Sequence, residues 1–213
     1  MGVVKKLYIV RHGQTDYNRL NIIQGSGIDS DLNTIGLEQA QHFYKGYKET
    51  PFDFVYTSQL KRTYQSVSGF IQSGILYGSH RGLNEINWGV LEGKQSNNKV
   101  QALFHKTLEK WHSGKLDFAL DGGESPLQMM ERQKQFLDHM LSTPHETILI
   151  ASHGRAMRSF LCLLTGVDAR YMYQFPHTNL GLYVLEQTDD MLFRVVKQNS
   201  TTHLPPGLIT AYR

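Results

Sequence analysis

Two histidines in this chain share one setting. His12 follows the apolar run Leu7-Tyr8-Ile9-Val10 and Arg11, while His153 follows Thr147-Ile148-Leu149-Ile150-Ala151 and Ser152; each is succeeded by glycine, Gly13 and Gly154. Short apolar runs of this kind read as buried strands, which puts both imidazoles at strand tips, where a neighbouring glycine lets the backbone turn sharply and approach a ligand. A third β-prone run, Phe54-Val55-Tyr56, empties into Thr57-Ser58 and a helical stretch bearing Arg62. Two imidazoles with two guanidinium groups, Arg11 and Arg62, suit one task well. Arginine's planar fork matches the anionic oxygens of a phosphoryl group, and neutral imidazole is a competent nucleophile toward phosphorus. Nearby guanidinium charge lowers an imidazole pKa and keeps the ring neutral. Phosphoryl transfer is chiefly positioning and charge stabilisation, so such a cluster needs no metal and no other cofactor. The leaving oxygen still needs a proton, for which a carboxylic acid is the natural donor. Glu85, in Leu83-Asn84-Glu85-Ile86-Asn87-Trp88-Gly89, is the candidate and Glu92 its rival.

These groups meet only if their strands run parallel. Strand–helix alternation predicts an α/β fold, a three-layer sandwich with a mostly parallel central sheet and helices on both faces, whose ligands bind at the carboxyl ends of the strands. The three polar tips then converge on one edge. Gln14 to Asn33 reads as a long polar loop, a length that is usually functional. Asn33 or Thr34 caps a helix running to about Lys48, with Leu37, Ala40 and Phe43 or Tyr44 on one face. Ser125-Pro126-Leu127-Gln128 combines an N-cap, a first-turn proline and a capping-box glutamine, with Met130, Leu137 and Met140 or Leu141 following on one side. A helix after His153 ends at Gly166, and Leu182–Leu185 with Phe193–Val196 reads as an edge hairpin. With no internal repeat or linker, residues 1–213 are expected to form one domain.

Composition narrows the class. Of 213 residues 40% are hydrophobic and 19% charged, enough for a sizeable core and against disorder. The net charge of +3 is spread out, with adjacent basic residues only at Lys5-Lys6 and Lys61-Arg62, which argues against a nucleic-acid partner while tolerating an anionic substrate. The single cysteine, Cys162, excludes an intrachain disulfide and a cysteine-based zinc site, and its apolar surroundings mark it as core. The polar start, Met1 to Lys6, lacks the apolar segment of a signal peptide, and no stretch is long enough to span a membrane. A cytoplasmic enzyme without a membrane partner is the expectation; a homodimer is left open.

Five blocks in order resemble the histidine phosphatase superfamily, the phosphoglycerate-mutase-like proteins. They are Arg11-His12-Gly13-Gln14-Thr15-Asp16-Tyr17-Asn18, Thr57-Ser58-Gln59-Leu60-Lys61-Arg62-Thr63, Glu85 with Trp88-Gly89 and Glu92-Gly93, Gly122-Gly123-Glu124-Ser125, and Ser152-His153-Gly154. One block would be a weak match; five in sequence are specific. The resemblance implies that His12 is phosphorylated, that Arg11, Arg62 and His153 hold phosphate oxygens, and that Glu85 first protonates the leaving group and then activates water. It implies a neutral phosphate contact from Asn18, a substrate-selecting loop around Gln24 and Gly25, and a place for Gly154 at the substrate. Gln14 stands where many members carry glutamate, which bears on substrate preference. His42, His80, His105, His112, His139, His145 and His203 match no block and read as surface or capping residues, and His177 as structural.

Within that family the stretch from Glu85 to Gly122 lacks the long basic insertion of the glycolytic mutases, and Lys94, Lys99, Lys106, Lys110 and Lys115 are scattered. Hydrolysis is therefore expected over intramolecular transfer: a phosphomonoesterase acting on a small phosphorylated metabolite, such as alpha-ribazole phosphate or a sugar phosphate. The alternatives are a phosphoglycerate mutase and, from another class, an inactive module binding a phosphorylated partner.

Overall fold

The computed structural model describes residues 4–210. Six strands, β1 (Lys6–Arg11), β2 (Phe54–Thr57), β3 (Tyr77–Ser79), β4 (Thr147–Ser152), β5 (Leu182–Gln187) and β6 (Phe193–Ser200), form one sheet in the order β3-β2-β4-β1-β5-β6. Strands β1 to β4 run parallel, while the hairpin β5–β6 joins antiparallel beside β1. The helices are α1 (Asp16–Arg19), α2 (Thr34–Tyr47), α3 (Lys61–Gln72), α4 (Asn98–His112), α5 (Pro126–Ser142) and α6 (Gly154–Thr165).

The continuous apolar runs of β1 and β4 have a simple cause: both faces of the sheet are covered. Leu7, Ile9, Ile148 and Ile150 point to one side, where they pack with Phe136 and Met140 of α5 and Met157 and Phe160 of α6. Val10, Leu149 and Ala151 point to the other, meeting Phe43 of α2 and Val67 and Phe70 of α3. A third cluster, Ile86, Trp88, Leu91, Trp111, Met129 and Ala156, lies apart from both.

The local signals read from the sequence hold at most helix ends. Asn33 caps α2 through its side chain, which accepts from Gly36 N at 2.9 Å. Both halves of the Ser125–Gln128 capping box are made at the start of α5, and α6 stops at Gly166, whose φ of 71° suits glycine. Cys162 is buried as expected. The α2 face is a correction: Leu37 is exposed, and Gly36, Gln39 and Phe43 form the buried stripe. Gln39 can be buried because its amide is used, Oε1 accepting from Gln14 N at 2.8 Å and Nε2 donating to Leu208 O at 2.7 Å. Met130, Leu137 and Leu141 flank the α5 interface only partly buried, whereas Met129, Phe136 and Met140 fill it.

Candidate active site

Parallel pairing sets the site. Arg11 lies opposite Ser152 and Thr57 opposite Ala151, so the tips of β1, β2 and β4 reach the same sheet edge. His12 and His153 leave their strands side by side there, ring centroids 5.2 Å apart. Both are buried, His12 at 2% and His153 at 0% exposure.

The hydrogen bonds assign each ring. His12 Nδ1 lies 2.7 Å from Gly13 O, a partner that can only accept; Nδ1 therefore carries the proton and Nε2 keeps its lone pair. Its peptide is held by Ser152 O, which accepts from His12 N at 2.9 Å, and by Asn179 Nδ2, which donates to His12 O at 2.8 Å. His153 Nδ1 accepts from Arg62 Nε at 3.1 Å, which leaves its Nε2 to donate to Ser58 Oγ at 2.8 Å. Burial, with the guanidinium groups of Arg62 and Arg11 close by, holds the His12 imidazole well below the usual histidine range. Burial does the same to His153, aided by Arg62, His12, Arg11 and Arg132. Arg62, itself 0% exposed, is pulled down to about 10 by burial, which leaves it charged at neutral pH. Its remaining nitrogens tie down the loop above, Nη1 to Ile28 O at 2.7 Å and Nη2 to Gly25 O at 3.2 Å.

Glu85 reaches the same edge from the segment after β3. Its Oε1 accepts from Ile86 N and Ala156 N, both at 2.9 Å, and its Oε2 from Arg155 N at 3.0 Å. The side chain thus caps the first turn of α6, accepting from amides that the helix leaves without partners. His153, the formal N-cap, makes no such side-chain bond. Glu92, the rival carboxylate, sits under the loop instead: a Cβ at Gly25 or Gly27 would collide with it. Its Oε1 accepts from Trp88 N at 3.0 Å, and burial raises its pKa.

A cleft of about 440 Å³ opens over these groups. Of the residues singled out in the sequence, Arg11, His12, Asn18, Gln24, Glu85 and Gly154 line it, while Arg62, His153 and Gly25 lie behind that lining. Asn18 Oδ1 accepts from Thr15 N and Asn179 Nδ2, leaving Nδ2 as its donor to a ligand. Gln24 bridges Thr15 Oγ1 at 3.1 Å and Ser30 Oγ at 2.6 Å, bracing the loop. Gly154 is required sterically, since a Cβ would come within 2.7 Å of the His177 ring. A second cavity of about 490 Å³ shares Glu85 but holds neither His12 nor Arg11; the cleft lined by both is the candidate site.

Some contributors escape the sequence reading. His105 lines the outer cleft wall with Val100 and Phe104 of α4. Asn179 links Thr210 to His12, accepting from Thr210 Oγ1 at 2.9 Å while donating to His12 O. Arg155 also lines the cleft; its place directly after Gly154 was the available signal. Among the described residues no group of three or more His, Cys, Asp and Glu is arranged to hold a metal ion, and no helix is long and apolar enough to cross a membrane.

The sequence model of the histidine phosphatase superfamily (branch 1) matches residues 7–201. The chain belongs to that superfamily. Among curated members, putative phosphoserine phosphatase 2 of Hydrogenobacter thermophilus is 30% identical over 183 residues, covering 84% of this chain and 88% of the relative. Phosphoserine phosphatase 1 of the same organism is 28% identical over 98% of both chains. Bacillus stearothermophilus YhfR superposes with a TM-score of 0.81 at 20% identity, covering 93% of this chain and 98% of that one. A mycobacterial glucosyl-3-phosphoglycerate phosphatase superposes with a TM-score of 0.80 at 19% identity, over 93% of this chain and all of the other. The superfamily's phosphoglycerate-mutase-like architecture, a mostly parallel sheet between helical layers, is the fold described above.

Proposed function

We propose that this histidine phosphatase superfamily member is a phosphomonoesterase that hydrolyses a small phosphorylated metabolite through a phosphohistidine on His12. The observation that carries the reading is the neutral His12 ring, its Nε2 unprotonated, buried beside His153 and two guanidinium groups. In the first step Nε2 attacks phosphorus and the bond from phosphorus to the ester oxygen breaks, with Glu85 passing a proton to that oxygen. Arg11 and the Asn18 amide meet the other phosphoryl oxygens, Arg62 adds its charge from behind them, and His153 joins by turning its Nε2–H from Ser58 to a phosphoryl oxygen once substrate is bound. In the second step Glu85 takes a proton from water as its oxygen bonds to phosphorus. The nitrogen–phosphorus bond breaks, inorganic phosphate leaves, and His12 regains its lone pair. The reaction needs no metal in this scheme, because the arginines supply the positive charge.

Hydrolysis is favoured over a mutase reaction because, among the described residues, no lysine joins Arg11 and Arg155 in lining the cleft, and a mutase must retain a bisphosphate between half-reactions. Two curated relatives named phosphoserine phosphatases support it, while others at 30% identity are named phosphoglycerate mutases, which makes the mutase assay the deciding control. Purified protein is expected to turn over an aryl phosphate and, after rapid quenching with ³²P-labelled substrate, to carry acid-labile label on histidine. His12→Ala should lower turnover by at least ~10⁴-fold and abolish the label. Label retained in that variant sinks the mechanism, and interconversion of 2- and 3-phosphoglycerate with a bisphosphate primer would reassign the chain as a mutase.

A further inference from the structure

Arg155 is the buried cation that the phosphatase scheme leaves unused. It is 4% exposed, lines the cleft, and its backbone N–H donates to the Glu85 carboxylate at 3.0 Å. Its side chain is another matter. Nε and Nη1 are enclosed with no hydrogen-bond partner, and no ion pair involves Arg155 among the described residues. Other buried arginines nearby show what a satisfied guanidinium looks like here. Arg62 donates to His153, Ile28 O and Gly25 O, and Arg132 holds Glu124 at 2.6 and 2.8 Å together with three carbonyls. A buried charge without a counter-group is strongly disfavoured, so each such group needs an explanation.

What surrounds Arg155 is aromatic. Its guanidinium carbon lies 5.7 Å from the Trp88 ring centroid, 5.9 Å from Trp111 and 5.1 Å from Tyr173. Ring faces attract and orient a cation, but they accept no conventional hydrogen bonds from it. The result is a pre-organised fork, held in a low-dielectric wall and lacking its acceptors.

Resting on the phosphatase reading, we propose that Arg155 receives a carboxylate carried by the substrate itself, so that the substrate class is a compact phosphomonoester of a hydroxy or amino acid. A carboxylate is flat and pairs with two parallel N–H groups of one guanidinium; with Nε and Nη1 enclosed, it meets Nη2 first and gains the second nitrogen as the side chain turns toward the cleft. The cradle of Arg11, His12 and Asn18 already receives the phosphoryl group. Tyr17, Ile22, Val100 and Phe104 line the rest of the cleft and offer apolar surface to the connecting carbons.

The test compares substrates that differ in the carboxylate: O-phosphoserine against O-phosphoethanolamine, and 3-phosphoglycerate against ethylene glycol monophosphate. Wild-type protein should favour the carboxylated member of at least one pair by about 100-fold in kcat/KM. Arg155→Gln should collapse that ratio below about 5-fold, with Arg155→Lys between the two because the charge stays and the fork goes. A ratio near one in the wild type, or an unchanged ratio in Arg155→Gln, overturns the inference. So does a preference for propane-1,3-diol bisphosphate over both carboxylated substrates, which would assign the fork to a second phosphate. Wild-type turnover of an aryl phosphate, run alongside, separates failure of this inference from failure of the phosphatase reading. Thermal melting checks that Arg155→Gln folds; if it does not, the wild-type ratios and Arg155→Lys decide.

Discussion

The floor and the outer wall of the cleft are built on different terms. On the floor, Arg62 and His153 are fully buried, they bond to each other, and every hydrogen bond described for them ends on another fixed group. The wall is a face of α4, which buries only Thr107 and Trp111 of its fifteen residues and presents Val100, Phe104 and exposed His105 to the cleft. On the proposed reading, a floor of interlocked polar groups positions the phosphoryl group and tolerates little change. A thinly packed helix can vary and so set which organic part is admitted. On that reading the chemistry belongs to the sheet edge, and α4 admits or excludes the bulk of the organic part while Arg155 in α6 selects its charge.

Arg62→Met tests the floor at its strongest point. It removes the partner of His153 Nδ1 and leaves the Gly25 and Ile28 carbonyls unsatisfied. We expect kcat/KM for an aryl phosphate to fall by ~10³-fold or more and unfolding free energy in urea to drop by about 2–4 kcal/mol. Lost activity with unchanged stability would mean that the floor is not an interlocked unit.

A pH series sharpens the same contrast. His12 and His153 are held neutral in the folded chain well below the usual histidine range, while in the unfolded chain they protonate near pH ~6.5. Below that value the unfolded state binds protons that the folded state refuses, so stability is complete above it and declines as the pH falls. Urea denaturation should show a loss of about 1.4 kcal/mol per pH unit for each such histidine below pH ~6.5. The kcat/KM profile should show no histidine-like fall near pH ~6.5, because the nucleophile stays unprotonated there. A drop in kcat/KM centred at pH ~6.5 would place His12 in an ordinary aqueous setting.

The smallest effect belongs to the wall. Phe104→Ala should raise KM by about 3–10-fold for bulky phosphomonoesters and change kcat by less than about 3-fold, measured across a panel of substrates of increasing size. An equal loss of kcat for all of them would tie α4 to the chemistry and erase the distinction.

Much of the floor was readable in the sequence because its signals are local. An apolar run stopping at Arg11-His12-Gly13 or Ser152-His153-Gly154 announces a strand tip, and parallel pairing then brings the tips together. The Ser125–Gln128 box is legible for the same reason. What stayed hidden depends on contacts distant in the chain. Gln39 is buried only because Leu208, far along the chain, accepts from it. Strand β3 is three residues at a sheet edge with exposed Tyr77 and Ser79, too short for alternation to register. Arg155 is unremarkable in sequence until Trp88, Trp111 and Tyr173 close around it. Glu85 was found by its block, yet its second task, capping α6 across about 70 residues, has no sequence mark.

The path from Thr210 through Asn179 to the carbonyl of His12 runs over two hydrogen bonds. It makes the segment around Thr210 a strut for the His12 peptide. A fusion partner grafted just past that point, or proteolytic clipping before it, would disturb that support and the cleft lining together, since Thr210 and Asn179 belong to both. A fall in kcat with KM for a small substrate unchanged would mark the loosened support, and a rise in KM the altered lining.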